Sequence, residues 1–325
     1  MRLIVLALSL VLAPLAAEAQ QAAGKTWRIG FLSDGSQASR ASINLDPFRE
    51  GLRGLGYVEG RNVVIEQRWS DGRSDRLREL ASELVRLKVD VIVTHGVPGI
   101  KAAQAATRTI PIVMAASPDP VGTGLVDSLA RPGGNTTGMS DQVADLSEKE
   151  LQIIREVVPR IRRVAILWNE VNPGARGTFA QMRAAVAKVA LGAVLVPVKA
   201  PEDLDGAVAQ AAGQGSDALI VIHDVLTVND RARIARLALK HRLPSICAST
   251  PFVDAGGLVA YAASLPDLFK RSSVFVDRIL RGAPPAEIPI EQPTRFLLRI
   301  NLRTAKALGL TIPPSVLGRA DQVIE

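Results

Sequence analysis

Six short clusters of small polar residues hold most of the chemistry this sequence offers. They are Ser33-Asp34-Gly35, Thr94-His95-Gly96-Val97-Pro98-Gly99, Ser117-Pro118-Asp119-Pro120, Trp168-Asn169-Glu170, His223-Asp224 and Ser249-Thr250-Pro251. Their hydroxyls, carboxylates, amide and imidazoles present hydrogen bonds from short side chains. The second cluster is the sharpest. Gly96 lets the backbone turn, and Pro98 suits the first turn of a helix. A carboxylate docked there would meet free N–H groups and the positive end of a helix dipole, worth about 0.3–1 kcal/mol exposed and up to ~2 kcal/mol when partly buried. The same residues also suit an ordinary strand-to-helix turn. Asp119 and Asp224 are placed to hold a ligand ammonium or, alternatively, to cap a helix. Asp34 is similar, with an Asx-turn as its alternative.

Catalysis and metal binding fit these residues less well. The sequence has no Gly-x-Ser-x-Gly elbow, no metalloprotease motif and no phosphate loop. Ser33 and Ser117 have no histidine placed to activate them in the sequence pattern. His95 and His223 occupy corresponding positions, but a metal site would need a third ligand. The single cysteine, Cys247, reads as a small buried apolar residue. No cofactor and no metal are expected. Trp168, Phe252 and Tyr261 are the aromatics nearest the strand ends, where each would stack on a flat ligand or pack in a core.

The elements that must position these clusters occur in two similar passes. The first has apolar runs at residues 27–33 (WRIGFLS), 62–66 (NVVIE), 89–96 (VDVIVTHG) and 110–114 (IPIVM), with helical stretches between them. The second has runs at 163–169 (RVAILWN), 193–198 (AVLVPV), 218–224 (ALIVIHD) and 244–248 (PSICA), with helices near 180–191 and 203–214 and a third ending at 241. Short continuous apolar runs alternating with helical periods indicate parallel strands covered on both faces. The fold class is therefore α/β, with two Rossmann-like lobes. Ligands of such sheets sit beyond the carboxyl ends of the strands, which is where the clusters fall. The candidate ligand-binding residues are Ser33, Asp34, Thr94, His95, Gly96, Val97, Ser117, Asp119, Asn169, Asp224, Thr250 and Tyr261.

Irregular stretches near residues 131–139, 253–261 and 282–290, with a helix at 266–281 between the last two, imply three crossings between lobes. One lobe would comprise 25–138 plus 262–288, the other 139–261 plus 289–325. Parallel crossings make a hinge that bends without unfolding either lobe. A single linker between two domains would leave the late helix unexplained.

Residues 1–19 read as a signal peptide: Met1-Arg2, an apolar run from Leu3 to Leu15, and Ala17-Glu18-Ala19 before a cleavage after Ala19. Export to the periplasm follows. The chain carries 39 Lys+Arg against 32 Asp+Glu, a formal net charge of +7. The positive residues are scattered and accompanied by acids, so no nucleic-acid partner is expected. A monomer is expected.

Six stretches resemble a known family: residues 48–60 (FREGLRGLGYVEG), 89–94 (VDVIVT), 109–113 (TIPIV), 119–126 (DPVGTGLV), 128–135 (SLARPGGN) and 301–310 (NLRTAKALGL). They are similar to ABC-importer substrate-binding proteins of the type I periplasmic-binding-protein fold, in the subgroup of tryptophan/phenylalanine-type binding proteins. The likeness covers nearly the whole mature chain. It implies a non-enzymatic receptor that captures a small solute by hinged closure and delivers it to an ABC permease in the cytoplasmic membrane. It also favours an amino acid, including aromatic ones, to which the helix-terminus argument adds the carboxylate. A ligand-sensing module for a membrane signalling protein and a cleft enzyme are the alternatives.

Overall fold

The computed structural model describes residues 25–142 and 146–325; the expected signal peptide lies outside the described residues. In the first lobe, β1 (Trp27–Ser33), β2 (Val63–Trp69), β3 (Val91–His95), β4 (Ile112–Ala116) and β5 (Thr136–Gly138) form one parallel sheet in the order β2-β1-β3-β4-β5. Every residue of β3 and β4 is buried, as the unbroken apolar runs require when both faces are covered. One face packs Ile29, Phe31, Val91 and Val93 against Phe48 and Leu52 of helix α1 (Asp46–Gly54). The other packs Leu32, Ile92 and Ile112 against α2 (Leu77–Arg86) and α3 (Gly96–Ala106). Helix α2 turns Leu77, Leu80, Ala81 and Leu84 inward at the i, i+3, i+4, i+7 spacing of one helical face.

The second lobe has seven strands: β6 (Arg163–Asn169), β7 (Gly192–Val198), β8 (Ala218–Val221), β9 (Ser245–Cys247), β10 (Val259–Ala263), β11 (Phe296–Asn301) and β12 (Gln322–Ile324), in the order β12-β11-β10-β9-β8-β6-β7. Helices α4 (Ser147–Val157) and α5 (Pro173–Lys188) cover one face, and α6 (Leu204–Gly213) and α8 (Arg231–Lys240) the other. A short α7 (Val225–Asn229) follows β8. Strand β11 pairs antiparallel with β10, an exception to the parallel pattern, because the chain reaches β11 from the opposite lobe. The helix expected near 180–191 begins earlier, at Pro173. There Asn172 Oδ1 accepts from Gly174 N at 3.0 Å, and Pro173 supplies the first helical position. Gly174 and Gly177 made that first turn look like loop.

Three segments join the lobes. The first follows β5. The second follows β10 and enters α9 (Leu265–Leu280), whose Phe269, Phe275 and Val276 pack in the first lobe's core. The third runs from the end of α9 to β11. First and third lie side by side: Ser140 N donates to the Glu291 carbonyl at 2.8 Å, and Glu291 N to the Gly138 carbonyl at 3.0 Å. An Arg271–Glu291 ion pair ties the third segment to α9.

Candidate functional site

The carboxyl ends of the parallel strands of both lobes open on one cavity, with about 550 Å³ of empty space counting its open mouth. Lobe one lines it with Asn44, His95, Gly96 and Val97, and α9 adds Leu265 and Phe269. Lobe two contributes Asn172, Gly174, His223 and Asp224. The lobes touch across it. A Cβ built on Gly174 would stand only 2.9 Å from Val97 Cγ2 and 3.5 Å from Pro118 Cγ. This is a closed arrangement. A wider groove, sharing Val97 and Asp224 with the cavity, opens to solvent between Arg73 and Lys199.

Lobe one organises its polar groups around His95. Nε2 of this imidazole lies 3.2 Å from Ser33 Oγ and 3.3 Å from Asn44 Nδ2. The hydroxyl and the amide both lie within hydrogen-bond reach of that nitrogen. Asp34 Oδ1 is 3.6 Å from the same nitrogen, close enough for an ion pair when the ring is protonated. The Asp34 carboxylate is 0% exposed, and neither oxygen has a hydrogen-bond partner. Its backbone is pinned, the carbonyl accepting from Gly72 N at 2.8 Å and Ser70 Oγ at 3.0 Å. Burying an unpaired ionised carboxylate costs several kcal/mol after relaxation. At Gly96 the backbone has φ +68°, a left-handed turn that swings the start of α3 toward the cavity. No side chain caps that helix end.

Lobe two answers with a saturated carboxylate. Asp224 Oδ1 accepts from Leu226 N at 2.7 Å and Asn169 Nδ2 at 2.8 Å, and Oδ2 accepts from Asn172 Nδ2. Asp224 also donates its N–H to Thr227 Oγ1 at 3.0 Å, completing a reciprocal cap on α7. Burial pushes its carboxyl above the usual range, opposed by the three donors, and the Asp34 charge raises it further. The two acids therefore feel each other across the cavity.

Several buried polar atoms have no hydrogen-bond partner. Besides Asp34 they include Asn44 Oδ1, Thr94 Oγ1, Ser117 Oγ, Trp168 Nε1 and Ser249 Oγ. Native interiors leave few such groups. Of these, Asn44 lines the cavity and Asp34 lies behind His95; the others do not line it.

Not every residue expected at the site lines the cavity. His95, Gly96, Val97 and Asp224 do, with Ser33 and Asp34 directly behind His95. Asn169 braces Asp224 and lines the outer groove. Thr94 is buried under the start of α3, where its Oγ1 would be 2.6 Å from a Cβ on Gly99. Ser117 fixes the first inter-lobe segment through its carbonyl, which accepts from Asp141 N and Ser140 Oγ, each at 3.0 Å. Asp119 Oδ1 accepts from Gly122 N at 2.8 Å, closing a local turn outside the cavity. Thr250 gives its carbonyl to Arg299 Nη1 at 3.0 Å. Tyr261 packs in lobe two, its ring centroid 5.8 Å from that of Phe296. Trp168 stacks on Phe179 at 4.1 Å, and Phe252 is buried beneath the sheet. Among the described residues, no group of three His, Cys, Asp or Glu could hold a metal.

Two contributors escaped the sequence reading. Asn44 sits in the turn before α1, with no motif around it. Phe269, edge-on to His95 at 5.3 Å between ring centroids, arrives from α9, far along the chain. Only the return of that helix to the first lobe, itself expected, pointed to a residue of its kind.

Comparison with known proteins gives one family and several relatives. The family model described as ABC transporter substrate binding protein matches residues 38–324. A tyrosine-binding protein of Clostridioides difficile (strain R20291) is 26% identical over 263 residues, covering 81% of this chain and 75% of that protein. The crystal structure of an ABC domain in complex with L-Trp from Streptococcus pneumoniae superposes with a TM-score of 0.86 at 26% identity, over 92% of this chain and 100% of that one. A leucine binding protein, LivK, from Thermotoga maritima matches at TM-score 0.61 and 13% identity, over 78% and 83% of the two chains, a likeness of fold alone. The architecture is that of the periplasmic binding proteins.

Proposed function

This chain belongs to the ABC transporter substrate-binding protein family, a family of receptors rather than enzymes, and from that premise we propose that it captures an aromatic amino acid by closing its two lobes over it. The observation that carries the reading is a cavity lined by both lobes, with the unpaired Asn44 Oδ1 in its wall and the buried Asp34 carboxylate behind His95. Asp34 takes the solute's ammonium, because it is the buried carboxylate without a donor, whereas the hydrogen bonds to Asp224 already saturate it. The uncapped start of α3 at Gly96 and Val97 takes the carboxylate. Leu265, Phe269 and Val228 receive the side chain. A relative that binds tyrosine and a structural neighbour that holds L-Trp support the aromatic class.

Closure is the mechanism. Only the closed form brings both lobes' polar groups to the solute, so binding shifts the population toward it. The three inter-lobe segments act as the hinge, dividing the chain into residues 25–138 plus 262–288 and 139–261 plus 289–325. The loaded form then presents its outer surface to an ABC permease, as a monomer exported to the periplasm with cleavage after Ala19. Thermal-shift measurements with the common amino acids test the reading, since a ligand at 100 times its dissociation constant adds about 2.7 kcal/mol. Stabilisation by aromatic amino acids is expected. A shift with some other solute and none with any amino acid would remove the solute class.

A further inference from the structure

Asn44 has a feature that the ammonium and carboxylate subsites leave unused. It lies in the turn Ala41–Leu45, is 0% exposed, and lines the cavity beside Leu265 and Phe269. Its Nδ2 is committed to His95 Nε2 at 3.3 Å, which fixes the amide plane. Its Oδ1 is buried and has no partner. A carbonyl oxygen held in place beside an apolar wall, with no donor of the protein in reach, is open to a donor that the solute brings.

We infer that Asn44 is a specificity-determining residue, selecting solutes whose side chain carries an N–H or O–H donor. The inference rests on the amino-acid reading above and narrows it. Tryptophan offers an indole N–H and tyrosine a phenolic O–H, while phenylalanine offers nothing. A phenyl ring against Asn44 leaves the acceptor buried and unpaired. A site built to bond a polar group discriminates strongly against the analogue that lacks it. An apolar wall alone would accept all three.

Calorimetric titration of wild type and Asn44→Leu with L-tryptophan, L-tyrosine and L-phenylalanine tests this. Wild type is expected to bind tryptophan or tyrosine about 10- to 100-fold more tightly than phenylalanine. Asn44→Leu is expected to lose that preference while keeping phenylalanine affinity. Titrating wild type with 1-methyltryptophan and O-methyltyrosine removes the donor without altering the protein, and the donor-bearing ligand is again expected to win. Phenylalanine binding to wild type within about threefold of both others would overturn the role of Asn44 while leaving the amino-acid reading intact. So would an equal loss of all three ligands in Asn44→Leu, which would set Asn44 against the ammonium instead. Binding of no amino acid at all would sink both readings together.

Discussion

Gly174 offers a way to separate closure from folding. It occupies the first turn of α5, where a Cβ would meet nothing in its own lobe closer than Asn172 Oδ1 at 3.5 Å. Across the cleft that Cβ would lie 2.9 Å from Val97 Cγ2, against a comfortable carbon–carbon separation of about 3.5–4.0 Å. The lobes would have to stand off by roughly half an ångström to one ångström. Overpacking of this kind costs about 1–3 kcal/mol, and the cost falls only on the closed form. At ~1.4 kcal/mol per factor of ten, Gly174→Ala should weaken solute binding about 5- to 150-fold. Gly174→Leu should weaken it more. The isolated lobe gains instead, because alanine is better than glycine in a helix by about 0.8–1 kcal/mol.

The expected signature is therefore a pair of opposite shifts. Unliganded Gly174→Ala melts at or above the wild-type temperature, while its affinity falls. Small-angle scattering should show a wild-type protein that compacts on loading, and a Gly174→Leu variant that does not. If Gly174→Leu bound the solute within about twofold of wild type and compacted equally, closure at this contact would play no part in binding.

Asp34→Asn should raise the midpoint of the unliganded protein, since it removes a buried carboxylate without a hydrogen-bond partner, and should cost about 1.5–3 kcal/mol of binding for ligands bearing an ammonium, measured by calorimetry. Deaminated analogues should lose far less. Glu150, buried in lobe two, has its carboxyl pushed up to about 8 from 4.5 by burial. The folded protein holds a proton there that the unfolded chain releases, so stability is full below about 4.5, declines as pH rises, and levels off above about 8. Glu150→Gln should flatten that decline when urea midpoints are followed across the same range. Tyr261→Phe should leave affinity unchanged because the ring packs against Phe296 within lobe two, whereas Phe269→Ala should weaken binding roughly tenfold or more by removing a wall of the cavity.

The two lobes were legible in the sequence because strands covered on both faces must be apolar without interruption. Runs such as 91–93 and 164–167 are what such strands require. What the period of hydrophobicity does not encode is strand direction. The run at 294–301 reads the same whether it enters the sheet parallel or antiparallel, and only its arrival from the other lobe decides. The first turn of α5 was hidden for a related reason. Its glycines weaken local helix propensity, yet Gly174 is there because the opposite lobe comes within van der Waals reach. A constraint imposed by a residue 77 positions earlier, Val97, leaves no local trace.

For the same reason the placement of ligands beyond strand ends points to the region of the site but not to its full membership. It locates polar residues by where parallel strands finish, and it cannot distinguish groups that the fold consumes from groups that it leaves open. Asp119, Asp224 and Asp34 look alike in sequence. In the structure the first closes a turn with Gly122, the second caps α7 and is braced by two asparagines, and the third has no hydrogen bond to its carboxylate, only His95 Nε2 at 3.6 Å. The difference is decided by hydrogen-bond supply, which depends on Asn169, Asn172 and His95 arriving from other elements. A carboxylate that the protein has already satisfied gains little from a ligand. One that remains unpaired makes the empty closed form costly, and a cationic group in the cavity removes that cost. On the proposed reading Asp34 would join recognition to closure: the charge that selects an ammonium would be the charge that disfavours shutting without one.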